Sequence, residues 1–375
     1  MPLRNTEYVL RIPYSVFRVS YFVFRIPYVE RAPAVRMTDS PLQLGLIGAG
    51  RIGQVHAATI TQRVERAVLV AVADVNIGAA QACAARYRLS RATGDPYELI
   101  ADPRIQAVLI CSSTDTHAPL IEAAAAAGKH IFCEKPIALN LDATRRALNA
   151  VARAGVKFQI GFNRRFDPNF SRARQAIMNG EIGEPHALHI ISRDPEPPPP
   201  AYVAASGGLF LDMTIHDFDM ARFLIGDEVE EVYAVGAARV DPAIGEAGDI
   251  DTAMVLLRFA GGAFGTIDNS RRAAYGYDQR VEVFGSLGAV NVSNNYPNSV
   301  VFSTAQGVCR DRPLHFFMQR YIESYQREVE AFIEAVLDDK PVAVGGQDGL
   351  AALLLALAAG RSLREGRPVR VCEIT

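Results

Sequence analysis

Two stretches of this sequence place proton-handling side chains where they can serve one reaction. The first is Glu134-Lys135-Pro136, at the end of an apolar run. A lysine there is a cation at the carboxyl end of a strand, where open parallel sheets form their ligand crevice. A surface lysine in a turn is the plain alternative. Pro136 restricts the backbone and is a candidate for a cis bond. The other stretch runs Gly207-Gly208-Leu209-Phe210-Leu211-Asp212-Met213-Thr214-Ile215-His216-Asp217. Asp212 and His216 are four residues apart, so a helix puts them on one face. An aspartate there can orient and charge-stabilise an imidazole that titrates near neutral pH. Oxidation of a secondary alcohol needs such a set: a base for the hydroxyl proton, a cation or donor for the developing alkoxide, and a held hydride acceptor. The same spacing also suits a metal, but no third ligand is near in sequence and none is expected. Seen alone, the pair would read as a helix cap and a core histidine.

The hydride acceptor has its own signature. Gly48-Ala49-Gly50-Arg51-Ile52-Gly53 follows an apolar run and opens a helical segment. Gly48 suits the tight turn, Gly50 lets the backbone approach a pyrophosphate, and Gly53 permits close helix–strand packing. The helix N-terminus supplies free N–H groups and partial positive charge to the phosphates. Asp74 ends the next apolar run, where a carboxylate holds both ribose hydroxyls and repels a 2′-phosphate. Val75 and Asn76 bring no cation to offset that repulsion, so NAD is expected rather than NADP. Ser112, Ser113, Thr114 and His117 follow a third apolar run and are expected near the nicotinamide ribose. A helix-capping cluster built on Asp115 or Thr116 is the alternative.

These motifs need a scaffold. From Leu42, buried runs alternate with helical segments: Val68–Val75, then Ile77–Tyr87; Ala107–Ser113, then a helix with Pro119 near its start and Gly128 past its end. A fourth strand leads into Glu134-Lys135-Pro136, and a fifth closes near Gly161. This is the pattern of parallel βαβ units. Beyond Gly161 the texture changes. A helix near Asp167–Met178, a proline run (Pro195–Pro200) and a helix from about Met213 to Ile225 precede five strand-like runs with short turn-rich gaps. A mainly antiparallel sheet is expected there, followed by a long helix around Phe316–Leu337, a last helix and a short strand. The fold class is α/β: a doubly wound Rossmann domain over 41–160, and an α+β domain over 161–375.

The chain has 375 residues, 49% hydrophobic and 21% charged, with a formal net charge of −2. That balance is globular and offers no electrostatic reason for a nucleic-acid or membrane partner. No apolar run reaches the ~18 residues of a membrane span, and Ala351–Gly360 reads as a buried helix. The five cysteines include no CxxC pair, which fits a reducing, cytoplasmic compartment. Residues 1–40 stand apart. They repeat RIPYSVF, RVSYFVF and RIPYVER at a period of seven, yet Pro13 and Pro27 forbid a helix and an odd period defeats a strand. The expectation is an appended segment outside the fold, with functional translation from Met37; a targeting or interaction arm is the alternative.

Taken together, the glycine loop, Glu134-Lys135-Pro136 and GGLFLDMTIHDFDMARFL resemble the glucose–fructose oxidoreductase/inositol dehydrogenase family from about Leu42 to the C-terminus. GFNRRFDP (Gly161–Pro168), NSRRAAYGYDQRVEVFG (Asn269–Gly285) and FMQRYIESYQREVEAFIEAV look like its inositol 2-dehydrogenase branch. The resemblance implies an open sheet in the second domain, a homotetramer, and NAD-dependent oxidation of myo-inositol to the 2-keto compound in inositol catabolism. It implies His216 as general base, Lys135 as orienter of the substrate hydroxyl and alkoxide stabiliser, and Asp212 as partner of His216 and substrate. Asn163, Arg164 and Tyr277 are the implied substrate contacts, with Tyr275 on the same side if that stretch is extended. Tyr275 and Arg165 have equally good structural readings. Gly48, Gly50, Arg51, Ile52, Gly53, Asp74, Ser112, Ser113, Thr114, His117, Glu134 and Lys135 form the expected NAD-lining set. One departure stands out: Ser192-Arg193-Asp194-Pro195 replaces an HRNP-like segment of some inositol dehydrogenases. Another inositol isomer or a pyranose sugar therefore remains an alternative substrate, and a non-catalytic NAD-binding sensor is the rival from another class.

Overall fold

The computed structural model describes residues 40–375. The segment expected to lie outside the fold, and the start at Met37, fall outside the described residues.

Six strands form the first sheet: β1 (Leu42–Ile47), β2 (Ala67–Ala73), β3 (Arg91–Thr93), β4 (Ala107–Ile110), β5 (His130–Glu134) and β6 (Phe158–Gly161). Their order is β3-β2-β1-β4-β5-β6, with every pairing parallel. The helices between them are α1 (Arg51–Arg63), α2 (Ile77–Tyr87), α3 (Pro96–Ala101), α4 (His117–Ala126) and α5 (Leu141–Ala154). Both sheet faces are buried, which explains the near-continuous apolar strands. Leu44, Leu46 and Leu109 face a core with Ala57 and Ile60 of α1 and Cys83 of α2. Val108, Ile110 and Ile131 face the opposite core, with Ile121 of α4 and Ala147 of α5. Local signals set the helix ends. Asn76 accepts from the amides of Gly78 and Ala79 to start α2, and Asn140 accepts from Ala143 N to start α5.

The strands of the second sheet are β7 (Pro185–Arg193), β8 (Val229–Ala237), β9 (Thr252–Phe259), β10 (Phe264–Ser270), β11 (Asp278–Gly285), β12 (Gly288–Val292) and β15 (Val369–Arg370). Their order is β12-β11-β7-β10-β9-β8-β15. Only β7 and β10 pair in parallel. The inner face packs on α6 (Pro168–Met178), α8 (Ile215–Ile225) and α12 (Gly346–Glu365). The other face leaves Met254, Leu256, Phe264 and Phe284 exposed. The chain then returns to the first sheet: Val329, Phe332 and Ile333 of α11 (Ile322–Leu337) join that sheet's core. The apolar stretch Ala351–Gly360 lies in α12, which packs against both layers.

Several elements depart from expectation. Strand β7 is not among the expected runs, although Leu188, Ile190 and Ser192 alternate inward with period two. Helices α7 (Pro200–Ser206) and α9 (Pro242–Glu246), and the exposed hairpin β13 (Val301–Thr304) to β14 (Gly307–Arg310), carry no long periodic signal. The helix expected over Phe316–Leu337 breaks at Tyr321, whose φ of −115° and ψ of 22° separate α10 (Phe317–Arg320) from α11. The helix expected from Met213 opens instead with a π turn over Phe210–Thr214 before α8.

Candidate active site

The carboxyl ends of β1, β2, β4 and β5 converge on one edge of the first sheet. After β1, Gly48 turns at φ 102°, and a Cβ there would meet the Cys111 backbone at 2.5 Å. A Cβ on Gly53 would lie 2.0 Å from Gly48 O, so α1 packs against the turn as only glycine allows. Gly50 has open space where its Cβ would be, and it caps α1 without a side chain, leaving amides free. Asp74 ties this loop to β2: Oδ2 accepts from Ala49 N at 2.7 Å and Oδ1 from Asn76 N at 2.8 Å. This is a cradle shaped for a pyrophosphate with a carboxylate beside it, and it fits NAD. Arg51 opens α1 exposed, whereas Ile52 packs partly buried against the core.

Beyond β4, Ser113 is exposed and Thr114 begins a 3-10 turn, while Ser112 Oγ lies 2.6 Å from Thr116 Oγ1. Thr116 does not cap α4 through its side chain. Two expected cofactor residues are engaged elsewhere. His117 is buried, with Nδ1 2.8 Å from Pro136 O and Nε2 3.1 Å from Ser112 O, so it braces two loops. Burial lowers its pKa. Glu134 gives its carboxylate to buried His56 at 2.7 Å, tying β5 to α1.

Lys135 and Asp212 form the centre of the site. Lys135, at a cis Lys135–Pro136 bond, donates from Nζ to Asp212 O at 2.7 Å and lies 3.4 Å from Oδ1. Asp212 Oδ1 also accepts from the Tyr202 hydroxyl at 2.9 Å, and Oδ2 from Arg271 Nη1 at 3.0 Å. Burial pushes the Asp212 pKa up, but Lys135 and Arg271 outweigh it and hold the group below its ordinary value. The expected Asp212–His216 pair is not formed, because the π turn precedes α8 and the carboxylate is spent on Lys135, Tyr202 and Arg271. His216 stacks edge-on with Phe162 at 6.0 Å, and its Nδ1 is buried without a partner. Burial, helped by Lys135 and Arg164, drives its pKa well below the ordinary value, so the ring is neutral at physiological pH.

The remaining expected contacts divide. Asn163 is buried with Nδ2 unpartnered. Arg164 is buried too, but its guanidinium is held by Asp217 at 2.5 Å and Ser192 at 3.4 Å. Tyr277 is enclosed by the rings of Phe316 and Tyr321. Tyr275 does not share its side: both precede β11, Gly276 between them turns at φ 121°, and Tyr275 is exposed with its hydroxyl on Asp278 and Arg193. Arg165 pairs with Asp219 and Asp348. Sequence reasoning missed Tyr202 and Arg271. Tyr202 sits in a short helix after prolines, and Arg271 has the sequence context of a surface arginine beside Arg272. Among the described residues, no group of three or more His, Cys, Asp or Glu could hold a metal ion, and no helix is long and apolar enough to cross a membrane.

A nucleotide cradle that opens onto paired proton-handling groups is the arrangement of a nicotinamide-dependent oxidoreductase. The family model for an oxidoreductase family with NAD-binding Rossmann fold matches residues 42–162, and that for the GFO/IDH/MocA C-terminal domain matches 170–291. The chain belongs to the GFO/IDH/MocA oxidoreductase family. It is 51% identical over 333 residues to Myo-inositol 2-dehydrogenase of Thermotoga maritima, covering 89% of this chain and 99% of that protein. It is 52% identical over 331 residues to Inositol 2-dehydrogenase of Rhizobium meliloti, covering 88% and 99%. A solved structure of myo-inositol dehydrogenase from Lactobacillus casei, in complex with NAD(H) and myo-inositol, superposes with a TM-score of 0.79 at 26% identity, covering 88% and 96%.

Proposed function

We propose that this protein oxidises myo-inositol to its 2-keto derivative with NAD⁺. The observation that carries the reading is the Lys135–Asp212 pair, set beside neutral His216 at the edge that holds the glycine cradle. NAD⁺ bound to the glycine loop and Asp74 supplies the hydride acceptor. His216, neutral, takes the hydroxyl proton. The Lys135 ammonium, fixed by Asp212, donates to the oxygen as it gains negative charge. Asn163 Nδ2, His216 Nδ1 and the Tyr321 hydroxyl are buried without protein partners. Each such group costs about 1–3 kcal/mol if left unmade, which suits a polyhydroxylated guest.

This reading assigns NAD to residues 41–160, and substrate and assembly to 161–375. The exposed apolar face of the second sheet supports a homotetramer, and free cysteines support a cytoplasmic enzyme of inositol catabolism. The test is NADH formation by absorbance with NAD⁺ or NADP⁺ and a panel of inositol isomers and hexoses. Turnover highest with myo-inositol and NAD⁺ is expected. Turnover confined to another polyol overturns the substrate, and none with any overturns the enzyme in favour of a sensor.

A further inference from the structure

Arg271 follows β10 and is only 2% exposed, yet its ionic contacts are with two carboxylates, Asp212 of the site and Asp194 just past β7. Nη1 reaches Asp212 Oδ2 at 3.0 Å and Asp194 Oδ2 at 4.0 Å. Nε and Nη2 are buried with no partner. Burying a guanidinium is costly unless its charge and donors are met. A structural arginine is normally enclosed by acceptors, as Arg165 is by Asp219 and Asp348. Arg320, paired with Asp167, also leaves Nε and Nη2 without partners, so what sets Arg271 apart is its acceptor, the Asp212 carboxylate that Lys135 and Tyr202 share.

The backbone holds the three together. Asp194 N donates to Ser270 O at 2.9 Å, and Ala273 N to Asp194 O at 2.6 Å, so the segment bearing Arg271 is pinned against the end of β7. Arg271 N in turn donates to Asp251 O at 2.8 Å. Asp194 keeps 19% of its side chain exposed, and Asp212 keeps 12%. The Asp212 charge raises the Asp194 pKa and the Arg271 charge lowers it, so Arg271 is the shared cation of two carboxylates that repel. Asp212 faces Lys135, Tyr202 and Arg271. Asp194 faces Arg271 and Asp212, and further off Arg164 and Asp217; Tyr277 stands alongside. Burial raises the Asp194 pKa to about 6 against the pull of Arg271, and the Asp212 charge adds to the rise.

We propose that Arg271 is a positioning residue that holds Asp212 and Asp194 side by side as a paired acceptor for two hydroxyls of the substrate. This rests on the polyol reading above and extends it to hydroxyls away from the reacting carbon. An ionised carboxylate accepts from two hydroxyls, whereas a protonated one gives up an acceptor to become a donor. The same pair disfavours substrates carrying a carboxylate or phosphate.

The test uses full-length Arg271→Gln and Arg271→Lys. The first readout needs no substrate: a ¹³Cγ titration of aspartate-labelled protein, with the Asp194 signal assigned by its loss in Asp194→Asn. The Asp194 midpoint is expected about one unit or more higher in Arg271→Gln and close to wild type in Arg271→Lys. The other readout is kinetic. With myo-inositol, Arg271→Gln should raise KM at least about 10-fold, the loss of one charge-assisted hydrogen bond, and move the acid limb of kcat/KM upward, with NADH affinity unchanged. An unmoved Asp194 midpoint, or wild-type KM and pH profile in Arg271→Gln, overturns the proposal. If wild type turns over no inositol, the polyol reading fails while the titration still decides the hold of Arg271 on Asp194. If Arg271→Gln does not fold, Asp194→Asn decides: a raised KM without the acid limb supports the proposal, and an unchanged KM overturns it.

Discussion

The cofactor cradle and the proposed substrate crevice are built in opposite ways. The cradle is backbone: three glycines within one turn, amides at the start of α1, and one carboxylate on Ala49 N. The crevice is side chain, with charges brought from far apart in the sequence. Lys135 and Asp212 are separated by 77 positions, and Asp212 and Arg271 by 59. A pyrophosphate is the same in every dinucleotide, so one local geometry suffices. A ring of hydroxyls is distinguished only by where donors and acceptors stand, which needs several elements at once.

Perturbing each region should separate them. The largest effect belongs to the crevice: Lys135→Ala or His216→Ala should cut kcat by at least about 100-fold with NADH affinity, measured by fluorescence titration, unchanged. Loss of NADH binding with normal turnover would merge the two regions and end the role assignment. Next comes the cradle. Asp74→Ala should raise KM for NAD⁺ by about 10–100-fold, the loss of charge-assisted bonds to a ribose diol, leave KM for inositol alone, and narrow the preference over NADP⁺.

A pH profile sharpens the contrast further. If Asp194 must be ionised to accept hydroxyls, kcat/KM falls about tenfold per pH unit below its midpoint of about 6. The sign for stability is opposite. A carboxyl whose folded pKa is raised favours the fold when protonated, and that contribution disappears as pH rises through about 6. Asp194→Asn should therefore melt higher than wild type at pH 8, with the gap closing as pH falls toward the ordinary carboxylate range. The smallest effect is expected at Tyr275, whose hydroxyl serves Asp278 and Arg193. Tyr275→Phe should leave kcat/KM within about threefold, the span of one exposed hydrogen bond.

What could be read from the sequence follows the same division. Gly48, Gly50 and Gly53 announce themselves because each answers a local steric demand, and Asp74 follows at the end of the next strand. The alternation of β1, β2, β4, β5 and β6 with helices is equally plain, since both faces are buried and periodicity carries the signal, whereas three-residue β3 and six-residue α3 are too short to show a period. Asp212 and His216 are recognisable as a candidate pair but not as separate. Their spacing promises one face of a regular helix, and a π turn over Phe210–Thr214 intervenes. Tyr202 carries no signal, because a tyrosine in a short helix after a proline run makes its contact through tertiary structure alone. Arg271 and Arg272 are alike in sequence, and only burial tells the site arginine from its exposed neighbour. The protein partners of His117 and Glu134 are hidden for a related reason. A polar residue at a strand end is expected in the crevice, and these two turn back to stitch β5 to its neighbours.

Asp212 receives hydrogen bonds from Lys135, Tyr202 and Arg271, which lie on three separate segments. Substitutions at those three positions cannot have independent effects, since each changes the state of the acceptor the other two share. A double-mutant cycle between 202 and 271 should return a coupling term rather than a sum. For evolution the hub acts as a ratchet: a new preference among polyols is reached by paired or triple changes, and single intermediates pass through a poorer enzyme. The glycine cradle carries no such coupling to substrate, so lineages of this architecture can keep their coenzyme while they exchange what it oxidises.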